Sequence, residues 1–419
     1  MNTDLYSNML LYIDPGTGGM LFSIIFSLLG IVYYFFRMLV IKIKYGFGKK
    51  RDASVGDKDE IVIFTDHKRY WNVFEPILDE FEKRERYVKY LTMSEDDPVF
   101  KSDYKYVTGE YIGTGNKAFS RLNMLNARIV LSTTPSLDVF QWKRSRGVDY
   151  YIHIPHAASD ITLYRMFGID YYDAIMLSGE YQEKQIRHLE QMRHLKAKDI
   201  EIVGIPYMDV MKERLDRTAK PEKTGEKTVL IAPSWGPSSL LNVYGNTLID
   251  AVVSAGYKVV LRPHPQSYTA EKDMIEKLYN EYKDNPKVEW NRDNDNFDVL
   301  SKSDVMISDF SGVIFDFSLV FDKPVIYADT SFDTSPYDAY WIDEPLWTFE
   351  ALAKMGVKLK SEDIDNISAI IEDCVDNPVY KRERDIAREE TWANMGDGAR
   401  LAVEYILKKS MEISESRAV

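Results

Sequence analysis

Cysteine is nearly absent from this chain: its 419 residues hold one, Cys374. A single thiol excludes an intrachain disulfide framework and a cysteine-based zinc site, and it suits a reducing compartment. A basic excess is lacking too. With 53 Lys and Arg against 66 Asp and Glu, the net charge is -13, which excludes a general nucleic-acid binder because such a protein needs a basic footprint. Any anionic ligand must be met by local groups. The sequence has no repeat at a solenoid period and no low-complexity tract. What it does have is core: 45% hydrophobic and 13% aromatic residues predict a folded chain of two domains.

Charge is also missing from Gly18 to Phe36, "GGMLFSIIFSLLGIVYYFF", and after Arg37 the apolar run resumes with "MLVI". The span, about 18–41, has the length to cross a bilayer core. Asp4 and Asp14 precede it, and Lys42, Lys44, Lys49, Lys50 and Arg51 follow it. That order does not fit a cleaved signal peptide, and it places the C-terminal side in the cytoplasm. Arg37 can snorkel to the interface, which Tyr33 and Tyr34 suit as well. The alternative is a buried helix of the soluble part. We expect a membrane anchor over 1–45 and a polar linker over 46–59.

Beyond the linker, strand and helix signals alternate. Strand-like runs are "EIVIFT" (Glu60–Thr65), "YVKYLTM" (Tyr87–Met93), "ARIVLST" (Ala127–Thr133), "YYIHIP" (Tyr150–Pro155), "DAIMLS" (Asp173–Ser178) and "IEIVGIP" (Ile200–Pro206). After "RTAKPEKTGEK" a second set begins: "TVLIAPS", "YKVVLRP", "DVMISD" and "KPVIYA". This alternation predicts two parallel α/β domains, 60–215 and 228–395, with a C-terminal helix over 396–419. In such sheets ligands sit beyond the carboxyl ends of strands.

Polar residues collect at those ends. His156 and Asp160 follow one strand, Ser234 and Trp235 a second, Arg262 and His264 a third. "SDVMISDFSGVIFDFSLVFDKPVIYAD" reads as strand, polar break, apolar helix and strand, so Ser308, Asp309, Ser311 and Gly312 lie at a strand-to-helix turn with Asp316 one turn on. The amides of such a turn can hold an anion, and Asp309 or Ser311 equally suits a plain helix N-cap.

Taken in order, these segments resemble the CDP-glycerol glycerophosphotransferases of teichoic acid synthesis. The series runs Pro155-His156-Ala157, Gly204-Ile205-Pro206-Tyr207-Met208-Asp209, Ala232-Pro233-Ser234-Trp235 and Arg262-Pro263-His264-Pro265. It continues with Ser308-Asp309-Phe310-Ser311-Gly312, then Phe315-Asp316, and ends with Asp397-Gly398 and Arg400. Two departures stand out: Ala157 and Ala158 replace the family's glycine and threonine after the histidine, and Gly312 replaces its second serine.

The resemblance implies a GT-B-like enzyme, two Rossmann-type parallel-sheet domains around a cleft and here preceded by one transmembrane helix. Its implied task is to move a polyol phosphate, glycerol phosphate first among them, from a CDP-activated donor to a lipid-linked or polymeric envelope acceptor at the cytoplasmic face of a bacterial cell membrane. No cofactor, metal or nucleic acid is expected. Under that reading His156 is the general base with Asp160 as its orienter. Arg262 and His264 meet phosphate oxygens, and the Ser311-Gly312 turn supplies amides. Ser234, Trp235, Ser308 and Asp309 complete the donor side, and Asp316 accepts ribose or polyol hydroxyls or simply favours its helix dipole. A nucleotide-sugar glycosyltransferase and a non-catalytic relative are the alternatives.

Two further segments bear on function. "EKQIRHLEQMRHLKAK", Glu183–Lys198, predicts an amphipathic helix whose Lys184, Arg187, Arg193 and Lys198 form a solvated face or else meet anionic headgroups or acceptor. Asp293 to Asp295, "DND", reads as a turn and cap.

Overall fold

The computed structural model describes residues 24–36, 58–219, 225–293, 295–328, 330 and 332–418. The first sheet holds β1 (Asp59–Thr65), β2 (Val88–Thr92), β3 (Val107–Tyr111), β4 (Asn126–Ser132), β5 (Gly147–His153), β6 (Ala174–Leu177) and β7 (Asp199–Ile202). Their order is β3-β2-β1-β4-β5-β6-β7, and every pairing is parallel. The second sheet holds β8 (Thr228–Ile231), β9 (Lys258–Leu261), β10 (Val288–Trp290), β11 (Val305–Ser308), β12 (Val325–Ala328) and β13 (Gly356–Leu359). Its order, β10-β9-β8-β11-β12-β13, is parallel throughout as well.

The central strands are largely apolar runs because helices cover both sheet faces, with polar residues confined mainly to the strand starts. Val62, Ile63 and Phe64 in β1, and Met306 and Ile307 in β11, are fully buried. Strand order reverses between β1 and β4 and again between β8 and β11. A crevice must open there at the carboxyl end of each sheet, since successive loops leave in opposite directions.

The domains are tied by the chain's last third. The helix Gly398–Ala418 returns to the first domain, where Ala402, Val403 and Ile406 join the core formed with Val73, Phe74 and Ile61. The Asp209 carboxylate receives the incoming turn: it accepts from Trp392 Nε1 at 2.7 Å, Gly396 N at 2.8 Å and Gly398 N at 3.1 Å. Gly204 has φ +82°, and a Cβ there would lie 1.9 Å from the Ala393 carbonyl oxygen. Thus the Gly-x-Pro-x-x-Asp segment clasps the crossing chain.

Residues 24–36 form a helix of exposed apolar side chains, Phe26 and Phe35 being 69% and 68% exposed. At ~1.5 Å per residue it covers about 20 Å, short of a ~30 Å bilayer core. Among the described residues no helix is long and apolar enough to cross a membrane. The remainder of the expected span, and the basic residues after it, lie outside the described residues.

Candidate active site

Both crevices face one interdomain cleft, walled by the loops at the two switch points and by those after β5 and β9. On the first-domain side the chain leaves β5 into Ile154-Pro155-His156. The His156 ring packs on Tyr70 at 4.8 Å between centroids and on Tyr164 at 5.6 Å. Its Nδ1 lies 3.2 Å from Thr133 Oγ1 and 3.2 Å from Tyr164 Oη. Burial, then the Arg69 guanidinium, push this imidazole down to about 4, so it is unprotonated at pH 7.

Asp160 does not orient His156. Its Oδ2 accepts from Thr348 N at 2.6 Å, and its Oδ1 from Trp347 N at 3.1 Å and from Gln185 Nε2. Those amides open the helix Trp347–Met355 of the second domain, whose unpaired N–H groups a carboxylate satisfies well. Both oxygens are therefore taken, and Thr133 and Tyr164 hold the histidine instead.

On the second-domain side, Asp309 is scaffold rather than donor ligand. Its buried carboxylate accepts from Ser234 N at 2.9 Å, Ser311 N at 3.1 Å and Leu240 N at 2.8 Å, tying the loop after β8 to the turn after β11. Ser308 is likewise internal, donating to the Ala232 carbonyl at 2.6 Å. Ser311 stays half-buried, and the amides of Gly312 and Val313 have no hydrogen bond to the described residues. His264 Nδ1 accepts from Gln266 N at 3.1 Å, which leaves the neutral ring's proton on Nε2. Burial and then Arg69 push it down to about 4 as well. Trp235, 43% exposed, stacks on the His264 ring at 6.5 Å. Arg262 is turned aside: its guanidinium bonds Asn291 Oδ1 and the Asp293 carbonyl, and burial lowers its basicity.

Asp316 is not presented to a ligand. It is buried at 8% exposure, with Oδ1 accepting from Tyr207 Oη of the first domain at 2.9 Å and Oδ2 from Asn296 Nδ2 at 3.4 Å. Burial pushes its carboxyl up to about 7, against the two hydrogen bonds. The folded value lies above the ordinary one, so the stabilisation from the protonated form is complete below pH ~4 and is lost as pH rises through 7. Asp316→Asn is expected to remove a stability decline on the order of 2–4 kcal/mol between pH 4 and 8. Melting scans across that range check this; an unchanged slope would place the titration elsewhere.

The two departures from the family pattern face each other. A Cβ on Gly312 would come 3.2 Å from the Ala157 Cβ, closer than ordinary carbon contact. Gly312 has φ -57°, so proximity to Ala157, not backbone conformation, disfavours a side chain there. The methyl gained at 157 matches the one lost at 312. Gly312→Ser is expected to lower turnover about fivefold, and Ala157→Gly in the same chain to restore most of it. Additive losses in the double-mutant cycle would contradict the pairing.

Arg69 escaped the sequence reading, although "DHKRYW" follows β1 directly and the rule applied to the other strand ends would have selected it. Its guanidinium lies 4.7 Å over the Tyr70 ring, and it forms no ion pair among the described residues. It is the cation nearest in effect to both motif histidines.

The supposed basic helix ends at Met192, and His194 takes φ +53°. Arg193 is buried, bonded to Asp170 and Asp338 at 2.7 Å each, and Lys198 is buried beside Glu190 at 3.9 Å. Those two cations cannot meet a headgroup. Lys184 is exposed, and Arg187 is partly paired with Glu183 and Glu190. Asp295 caps the amide of Phe297 at 3.0 Å and pairs with Arg214.

Comparison with curated proteins gives no match. Among solved structures, the wall teichoic acid polymerase TagF with CDPG is 16% identical, with 90% of this chain and 94% of that one covered at a TM-score of 0.54. The UDP-GlcNAc 2-epimerase of Methanocaldococcus jannaschii is 12% identical, covering 83% of this chain and 99% of that one at 0.54. The UDP-N-acetylglucosamine 2-epimerase of Rickettsia bellii is 11% identical, covering 85% and 97% at 0.55. At these identities the likeness establishes the two-domain GT-B-like fold alone. Residues 56–401, however, match the family described as CDP-Glycerol:Poly(glycerophosphate) glycerophosphotransferase, and with most of the chain matched, this protein belongs to that family of transferases.

Proposed function

We propose that this enzyme transfers glycerol phosphate from CDP-glycerol to a lipid-linked or polymeric acceptor in the synthesis of a teichoic-acid-like envelope polymer. The observation that carries the reading is the meeting of His156's loop with the Ser311-Gly312 turn, so close that a Cβ at 312 would crowd Ala157. A base and a set of unpaired amides then share one phosphorus. The acceptor oxygen attacks the distal phosphorus while the bond from that phosphorus to the bridging oxygen breaks. CMP leaves with the electron pair, and the acceptor proton passes to His156. His264 Nε2–H, Arg69 and the amides of Gly312 and Val313 offset the pyrophosphate charge. The same negative charge raises the proton affinity of His156 once donor is bound.

Free CMP measured from CDP-glycerol and CDP-ribitol, beside UDP- and GDP-sugars, tests the donor. Release from CDP-polyols alone supports the reading. Turnover of a nucleotide sugar in preference would replace it with a glycosyltransferase.

The exposed apolar helix 24–36 supports insertion into a bilayer, because an uncovered face of this size is costly in water. Together with the basic residues 42–51, it favours a single-pass anchor with the catalytic domains in the cytoplasm. Protease added outside intact cells is expected to spare residues 60–419; their efficient digestion would reverse the orientation.

A further inference from the structure

Behind His156 lies a second, fully buried histidine. Tyr164 Oη sits between them, 3.2 Å from His156 Nδ1 and 3.2 Å from His153 Nε2. His153 is 0% exposed, its ring also packs on Tyr172 at 4.9 Å, and its Nδ1 has no hydrogen-bond partner. No carboxylate bonds either ring among the described residues.

One phenolic proton cannot serve both histidines. If Tyr164 donates to His156 Nδ1, a neutral His156 carries its proton on Nε2 and cannot accept another there. If Tyr164 donates to His153 Nε2, its oxygen and Thr133 Oγ1 are both open to an N–H from His156 Nδ1, and Nε2 keeps its lone pair. The directions of the Tyr164 and Thr133 O–H groups therefore decide whether His156 can act as a base.

We infer that Tyr164 and His153 are positioning residues that set the tautomer of His156. His153 Nε2 accepts the Tyr164 O–H, so that its own proton stands on the unpartnered Nδ1, and Tyr164 and Thr133 together accept the His156 Nδ1–H. This rests on His156 being the base of the proposed transfer. As the acceptor proton arrives at Nε2, the ring becomes an imidazolium, and the two oxygens on Nδ1–H stabilise it without a carboxylate. Burial holds both rings neutral beforehand, His153 down to about 3.

The experiment uses the full-length chain labelled with 15N-histidine. At pH 7 the His156 resonances, assigned through the His156→Ala variant, are expected to report Nδ1–H with a bare Nε2. Tyr164→Phe is expected to mix the tautomers and to lower kcat about ten- to a hundredfold, part of the 10²–10⁴ that a general base supplies, with the KM for CDP-glycerol unchanged. Thr133→Val is expected to act in the same direction, with Thr133→Ser restoring the rate. An Nε2–H tautomer in the unmodified protein would overturn the inference. So would Tyr164→Phe leaving both the tautomer ratio and kcat untouched. Normal turnover by His156→Ala would instead remove the base assignment itself, whatever tautomer is seen.

Discussion

Replacing His156 with alanine is expected to lower turnover by about 10²–10⁴ while leaving CDP-glycerol affinity nearly intact. The histidine stands on the first-domain wall, where it meets the acceptor proton only as the bond to phosphorus forms. Nothing places it on the nucleotide. His264 stands on the opposite wall with a neutral Nε2–H, having given Nδ1 to the Gln266 amide. A hydrogen bond to an ionised phosphate is worth about 1.5–3 kcal/mol, so His264→Ala is expected to weaken donor binding ten- to a hundredfold. Calorimetry and steady-state rates on both variants give four numbers. Equal losses of donor affinity, with turnover per bound donor unchanged, would refute the division of labour.

Gly204→Ala is expected to be among the most destabilising single substitutions in the chain, beyond about 4 kcal/mol. Two effects coincide there. The backbone has φ +82°, which a Cβ disfavours by about 1–2 kcal/mol. The new methyl would also lie 1.9 Å from the Ala393 carbonyl oxygen, backbone against backbone, with no flexible side chain to yield. Relief requires the crossing segment to lift away, stripping Asp209 of the amides of Gly396 and Gly398. Denaturant unfolding, with proteolysis near residue 393 as a second readout, measures both consequences. A midpoint within about 1 kcal/mol of the parent would show the clasp to be slack.

The sequence made the interior strands legible and hid the rims. Every strand run named from the sequence corresponds to an observed strand, and all but the edge strand β7 are interior, where burial on both faces favours an apolar stretch. The three unnamed strands, β3, β10 and β13, all lie at sheet edges. An edge strand needs fewer apolar residues: β3 carries Gly109 and Glu110, and β10 is a three-residue strand with Glu289 at its centre.

The site followed a similar rule. Its motif residues were visible at strand ends, but their partners came from distant segments that no spacing announces. Asp160 looked like a helper of His156 four residues away, yet it caps a helix nearly two hundred residues on. Ser308 and Asp309 look like donor-side residues in the sequence, Asp309 equally like a helix cap, yet their bonds hold the loops after β8 and β11 in place. Periodicity carried the basic helix past its end because charges that pair internally and charges that face water look alike in sequence. Arg193 and Lys198 belong to the first kind.

The crossing helix also sets an order of assembly. The first domain is synthesised before the second, but Ala402, Val403 and Ile406, which complete its core against the helix Trp71–Lys83, emerge only after the second sheet. Domains ordinarily fold as they emerge. Here the earlier one stays open along one side until residues 402–406 are made, and by then the second domain is available to be locked against it. Premature termination before residue 398 is thus expected to leave the first-domain core uncovered along that side, so a truncated chain keeps the motif histidines and the Asp160 and Tyr207 ties between domains in a weaker frame.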